Sequence, residues 1–309
     1  MLSRRHFLAL STAALAAPRA KAQTARIDVA AIEHDRILTE AQKNNQTIPN
    51  QTAAFLLTKD PTYATKTLPL YQSLITLTPQ PDILAHLPLA EAAVALRFLV
   101  DALPEADLNT ISAYFTQIQI HLHTNRAMLL ERDTHDHRAS AWLLISSAIA
   151  RYQRDENTLD ANRALFRKPT LRNQIKADGT FHEELATPNP YRNSLFNFDL
   201  LTGTCQFLAS PFDLLWDYEL PDGPGMRSVA AYLYPLIKDR NKWPNVSDAT
   251  NFHDLPGRRP GLLFAGRAYN RPEYVDLWRT LPINTIPALA PTFPIREPLL
   301  WITRAQHGL

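Results

Sequence analysis

The sequence predicts an all-α protein, an α/α toroid assembled from paired helices. Apolar residues recur at helical spacing over most of the 309 residues, no segment sustains strand alternation, and glycine is scarce at 8 residues while proline reaches 24. Few glycines argue against repeated tight hairpins, whose turns need positive φ. Prolines set between apolar stripes suit helix starts and stiff connections. With 45 % hydrophobic and 20 % charged residues the chain is globular and can build one large core or two modest ones.

Composition also excludes several classes. No G-x-G-x-x-G or G-x-x-x-x-G-K-[ST] run is present, so a nucleotide-binding fold has no support. The lone Cys205 rules out an intrachain disulfide and a cysteine-only metal site, and suggests a buried structural thiol. A net charge of +2 points to no nucleic-acid partner.

Residues 1–22, MLSRRHFLALSTAALAAPRAKA, read as an export signal. Arg4 and Arg5 precede the apolar run Phe7–Ala17, and Ala20-Lys21-Ala22 supplies a small-x-small cleavage pattern. Ser3-Arg4-Arg5-His6-Phe7-Leu8 resembles the twin-arginine export motif, which implies a periplasmic or secreted bacterial protein. As a helix the apolar run spans ~16 Å, about half of a bilayer core, which argues against a membrane anchor. Cleavage after Ala22 removes four bases and no acid, leaving 28 basic and 30 acidic residues, a net charge of −2, over 287 residues. A polyanionic partner would therefore have to be captured by a local basic, histidine-lined cleft and not by global charge.

Residues 23–50 are polar and weakly patterned, with Lys43-Asn44-Asn45-Gln46 and Pro49-Asn50 as loop signals. From about 51 to 175 the period is helical. Leu89, Ala92, Ala93, Leu96, Leu99 and Val100 share one stripe between Pro88 and Pro104. One long segment over 106–131 follows, carried by Ile111, Phe115, Ile118, Leu122 and Leu129. Trp142, Ile145, Ile149 and Tyr152 mark the next stripe, and Leu165 with Leu171 a weaker one. Residues 176–193 read as a long connection with a turn at Asp178-Gly179 and helix entry at Ser194. Helical patterning returns at 194–208, 225–238, 260–269 and 272–280, and proline-laced coil over 281–298 leads to a short end at 299–302.

Two polar clusters could carry chemistry. Arg132-Asp133-Thr134-His135-Asp136-His137-Arg138 lies directly before the stripe at Trp142, where Asp133, Thr134 or Asp136 could equally cap the helix. A metal site fits poorly, because His135 and His137 would lie ~200° apart on a helix. His121 and His123 fail in the same way. The second cluster runs Asp178-Gly179-Thr180-Phe181-His182-Glu183-Glu184-Leu185 and on to Tyr191-Arg192-Asn193-Ser194-Leu195-Phe196-Asn197-Phe198.

The run Asp178-Gly179-Thr180, Glu184-Leu185 and Ser194-Leu195-Phe196-Asn197 resembles the D-G-[ST]…E-L…[HY]-S-L-F-N pattern of alginate lyase-like polysaccharide lyases. Asp136-His137 before Trp142 stands where that family has an N-N-H-x-x-W helix start. Tyr234-Pro235, Lys242-Trp243-Pro244, Arg259-Pro260-Gly261 and Arg271-Pro272-Glu273-Tyr274 extend the similarity over roughly 85–302. This divides the chain into a leader at 1–22, a divergent N-terminal helical segment at 23–84 and an alginate lyase-like domain at 85–309, with part of the toroid missing or remodelled.

The resemblance implies cleavage of an acidic polysaccharide, alginate or a glucuronan-like polymer, by β-elimination without a cofactor or metal. A base removes the C5 proton of a uronate, donors neutralise its carboxylate, and an acid protonates O4. The family histidine falls on His137 and its asparagine on Asp136, an acid in place of an amide. The family arginine falls on Thr187 and the catalytic tyrosine on Asn193, so Tyr191 and Arg192, two and one residues earlier, are the expected substitutes. His135, Arg138, Trp142, Asn193, Asn197 and His253 are the expected substrate contacts, although His253 also reads as an ordinary loop histidine. Trp216, Trp243, Trp278 and Trp301 read mostly as core, with one or two available to stack on sugars. Two rivals remain: a non-catalytic carbohydrate-binding homologue, and a helical glycoside hydrolase using Glu184 with Asp222.

Overall fold

The computed structural model describes residues 28–43, 46–210, 212–283 and 287–304; the export signal expected at 1–22 lies outside the described residues. Helices dominate, and among the described residues the only extended pairings are isolated bridges such as Ile175 with Phe181. The architecture is the helical toroid that the sequence predicts.

The helices sort by how much of their surface is apolar. Helix α1 is Val29–Gln42, α2 is Ile48–Thr58 and α3 is Pro61–Ile75. Next come α4 (Leu87–Leu99), α5 (Glu105–Thr124), α6 (Arg126–Arg132) and α7 (His137–Gln153). They are followed by α8 (Glu156–Leu165), α9 (Leu171–Gln174), α10 (His182–Leu185) and α11 (Pro190–Leu208). The last are α12 (Met226–Lys238), α13 (Pro260–Ala268), α14 (Pro272–Thr280) and α15 (Pro298–Ile302). Helices α4, α7 and α11 are buried almost all round, so they form an inner layer. Helix α12 buries one stripe, Met226, Val229, Ala230, Leu233, Leu236 and Ile237, and covers that layer from outside. In chain order α2 packs on α4, α4 on α7, α7 on α11 and α11 on α13, while α3 pairs with α2, α8 with α7, α12 with α11 and α14 with α13.

The inner helices α4, α7 and α11 run the same way. At one end Asp82, just before α4, meets Arg138 in the first turn of α7, and Asn197 in α11 reaches the same neighbourhood through Glu184. At the other end Arg151 of α7 donates to the carbonyl of Phe207 in α11, whose ring faces Arg97 of α4. The arrangement gathers helix N-termini on one side of the molecule, where the first N–H groups of α7 are taken by Glu184, Asp136 and Thr134 and those of α11 by Asp248.

Several boundaries differ from the sequence expectation, each for a physical reason. The polar stretch 23–50 contains α1, whose buried stripe is Val29, Glu33, Ile37 and Ala41. A glutamate inside that stripe hides it from an apolar count. Pro49 sits in the first turn of α2, capped by Thr47, and marks a helix start and not a loop. The segment 106–131 breaks into α5 and α6 at Asn125, whose side chain accepts from the N–H groups of Ala127 and Met128. Helix α11 begins at Pro190, not Ser194, which shortens the connection and moves Tyr191, Arg192 and Asn193 onto a helix.

Two buried ionic arrangements tie distant segments together. Arg259, before α13, donates to Asp199 of α11 at 2.7 Å, and Asp199 also accepts the Gly261 N–H at 3.0 Å. Arg36 of α1 clasps Glu297, next to α15, through two hydrogen bonds of 3.0 and 2.6 Å and also pairs with Glu33, which Arg258 reaches at 2.8 Å. Glu91 of α4 accepts the Arg296 N–H at 2.6 Å, and burial pushes its carboxyl up to about 7 despite that bond.

Candidate active site

The site is organised by one buried carboxylate. Glu184, on the single-turn helix α10, is fully buried and faces the N-terminus of α7. It accepts the backbone N–H of His137 at 2.7 Å, His137 Nδ1 at 2.9 Å and Asn197 Nδ2 at 3.1 Å. An ionised carboxylate only accepts, so Nδ1 is the donor and Nε2 is the nitrogen offered to a ligand. Asn197 also donates to Gln174 Oε1 at 2.9 Å, which Ser140 reaches at 3.0 Å. The His137 ring lies edge-on to Phe196, centroids 5.5 Å apart, and keeps 15 % of its side chain exposed. Burial works to lower the pKa of His137, but the hydrogen bond and charge of Glu184, helped by Asp136, raise it above the ordinary histidine value.

The two positions that depart from the family pattern are partners. Asn193 Nδ2 donates to Thr187 Oγ1 at 3.1 Å, and Thr187 Oγ1 donates to the Glu184 carbonyl at 2.7 Å. Arg192 Nε reaches Asn193 Oδ1 at 3.3 Å, and Arg192 is half-buried one helical turn before Phe196. Phe196 carries the ring that lies against His137, so residue 192 shares that side of α11.

Other expected site residues are placed elsewhere. Tyr191 is fully buried, donates to the Leu236 carbonyl at 3.1 Å, and packs edge-on against Trp243 and Phe252. Burial holds its phenol well above the usual tyrosine value. Residues 191 and 193 lie about 200° apart on a helix, so no small shift exchanges them. Tyr191→Phe is accordingly expected to leave any lyase rate unchanged while lowering stability by about 1–3 kcal/mol, because the Leu236 carbonyl loses its donor. Kinetics and denaturant melts on one preparation would check both.

Asp136 is the N-cap of α7, accepting from the Arg138 N–H at 2.9 Å and the Thr134 hydroxyl at 2.8 Å. Its geometry is that of a helix cap, not of a catalytic group. Arg138 turns its guanidinium to Glu131 and Asp82, which occupy it as ion-pair partners. Trp142 is fully buried and donates to the Leu122 carbonyl at 3.1 Å, so it cannot present a face to a sugar. His135 is exposed on the wall of a cavity of about 270 Å³ shared with Thr134, Asn173 and Gln174, and Gln174 links that wall to Asn197. His253 is exposed beside Phe252 on the wall of another cavity, about 530 Å³, and its carbonyl accepts from Arg240.

The hydrolase pair fails on geometry. Glu184 is buried beneath His137 and Asn197, whereas Asp222 is exposed and paired with Arg172. Trp278 and Trp301 are fully buried, Trp243 donates to the Val246 carbonyl, and Trp216 lies edge-on to Tyr269. Cys205 is buried, and burial raises its thiol well above the usual range. Gln174 and Ser140, which orient Asn197, carry no signal in the sequence because only the tertiary fold buries them.

Comparison with known proteins places the chain. The family model for alginate lyase matches residues 16–243, a stretch that begins well before the motifs at 85 and ends before residue 302. An alginate lyase from Bacteroides ovatus superposes with a TM-score of 0.66 at 15 % identity, covering 87 % of this chain and 74 % of that one. Alginate lyase A1-III from Sphingomonas species A1 gives 0.56 at 15 % identity, covering 83 % and 74 %. No curated protein sequence matches the chain significantly. Matched over most of its length and sharing the helical toroid of these structures, the chain belongs to the alginate lyase family.

Proposed function

We propose that this protein is an exported polysaccharide lyase that cleaves a uronate-containing polymer, alginate or a glucuronan-like chain, by β-elimination with His137 as its base. The observation that carries this reading is the Glu184 carboxylate on His137 Nδ1, which fixes the ring and its tautomer and leaves Nε2 toward the substrate. Nε2 takes the C5 proton, the C5–H electrons form the C4–C5 double bond, and the C4–O4 bond breaks. The same Nε2–H then protonates the departing O4. Arg192 neutralises the uronate carboxylate. The leader at 1–22 supports export, which puts the enzyme where polymers too large to cross a membrane are met.

A panel of acidic polysaccharides tests the proposal, reading ultraviolet absorbance from the new double bond beside reducing ends. Growth of both on one uronate polymer is the expected outcome, with the rate rising with pH through the elevated pKa of His137 as Nε2 loses its proton. Reducing ends without absorbance would sink the lyase reading. The Thr187–Asn193 hydrogen bond and the buried Tyr191 favour a second reading, a carbohydrate-binding homologue without turnover, which would bind a polymer and produce neither signal.

A further inference from the structure

We propose that the end of the inner helices opposite His137 holds an oxyanion-binding site centred on Arg97. Arg97 lies in the last turn of α4, and Tyr152 and Gln153 close α7, about 22 Å along that helix from His137. The site is therefore separate from the elimination chemistry and does not depend on it.

Arg97 is only 4 % exposed, and none of its three guanidinium nitrogens has a hydrogen-bond partner. A buried cation without an acceptor is costly, and proteins ordinarily pair it. Glu156, the acid on the neighbouring Arg151, pairs with that residue and Arg163, and Arg97 receives no acceptor from it. The Phe98 and Phe207 rings, 5.6 and 5.7 Å from the guanidinium, and the negative ends of α4, α7 and α11 offset part of the charge but supply no acceptor. Burial and the neighbouring Arg151 push the Arg97 pKa down to about 10, so the group is still charged at neutral pH.

Arg97 lines a cavity of about 410 Å³ together with Val100, Ser112, Tyr152, Gln153 and Arg154. The Ser112 and Tyr152 hydroxyls, 2.5 Å apart, sit in this wall; one donates to the other, which leaves the second O–H to donate to a ligand. An oxyanion seated there supplies the acceptor that Arg97 lacks. The guanidinium nitrogens are shielded from water, so seating needs a small give in the wall made by the half-buried Tyr152 and Gln153. Two sources share the required chemistry: a free phosphate or sulfate, and the carboxylate of a uronate sugar.

Thermal melting of the full chain at matched ionic strength separates the outcomes. Inorganic phosphate, sulfate and glucuronate are titrated against chloride, with glucose as the neutral control. The wild type is expected to gain several degrees in Tm with at least one oxyanion and nothing with glucose. Arg97→Met is expected to melt no lower than the anion-free wild type, because it removes an unpaired buried charge. It should also lose the anion-dependent gain, while Tyr152→Phe and Ser112→Ala weaken it about 3–10-fold in apparent Kd. Stabilisation by phosphate or sulfate alone assigns an inorganic or phosphorylated ligand, and stabilisation by glucuronate assigns a sugar acid. No oxyanion effect in the wild type, or an equal effect in Arg97→Met, overturns the proposal.

Discussion

His137→Ala is expected to lower kcat for elimination by about 10²–10⁴-fold, the usual contribution of a positioned acid–base group, with a much smaller change in KM. Glu184→Gln should give an intermediate loss, because the amide can still accept the backbone N–H of His137 but no longer supports a protonated ring by charge. The pH dependence separates the two effects. His137 has a folded-state pKa raised above its unfolded value, so its contribution to stability is full below the unfolded pKa of ~6.5 and is lost as pH rises through the folded pKa. Glu184→Gln should therefore cost more Tm at pH below that window than above it. A flat difference across pH would remove Glu184 as the source of the shift.

Asp199→Ala is expected to have the largest effect on stability, about 3–5 kcal/mol, or roughly 6–20 °C in Tm. Arg259 is 3 % exposed, and its partner also accepts the Gly261 N–H that opens α13. Burial pushes Asp199 up to about 6, with Arg259 pulling the other way, so the pair is charged at neutral pH. Removing one member leaves the other charge stranded. Asp199→Leu combined with Arg259→Met should recover most of the loss, because a buried pair replaced by apolar groups of similar size is often neutral. A single-mutant cost below ~1 kcal/mol in denaturant melts would show that Arg259 finds another acceptor.

The inner helices were legible because their apolar residues repeat at helical spacing; the stripes around Leu96, Ile145 and Leu201 lie in α4, α7 and α11. The family could be read from the Asp178-Gly179-Thr180 and Ser194–Asn197 runs, which belong to local structure and survive as contiguous sequence. The catalytic assignments were less legible. Adjacency along the chain suggests Tyr191 for the site, but a helix beginning at Pro190 turns neighbouring residues to different faces and sends its ring into the core. Glu184 is legible as part of the Glu184-Leu185 motif and as a possible hydrolase acid, but nothing local reveals that it folds back onto a residue 47 positions earlier. Asp136 behaved as the capping rules anticipate, which local sequence can report.

Helical hairpin arrays are commonly quasi-one-dimensional: each unit leans on its neighbours, so the ends fray first and the chain unravels from its termini. The Arg36 clasp changes that connectivity here. It joins the first described helix to the segment leading into the last, while Glu91 in the inner layer holds the same segment by its backbone. A row whose two ends are fastened has no terminal unit to lose cheaply. Hydrogen exchange should therefore report α1 and α15 opening together with the interior in one cooperative step, and Arg36→Leu should convert that step into early release of the N-terminal helix.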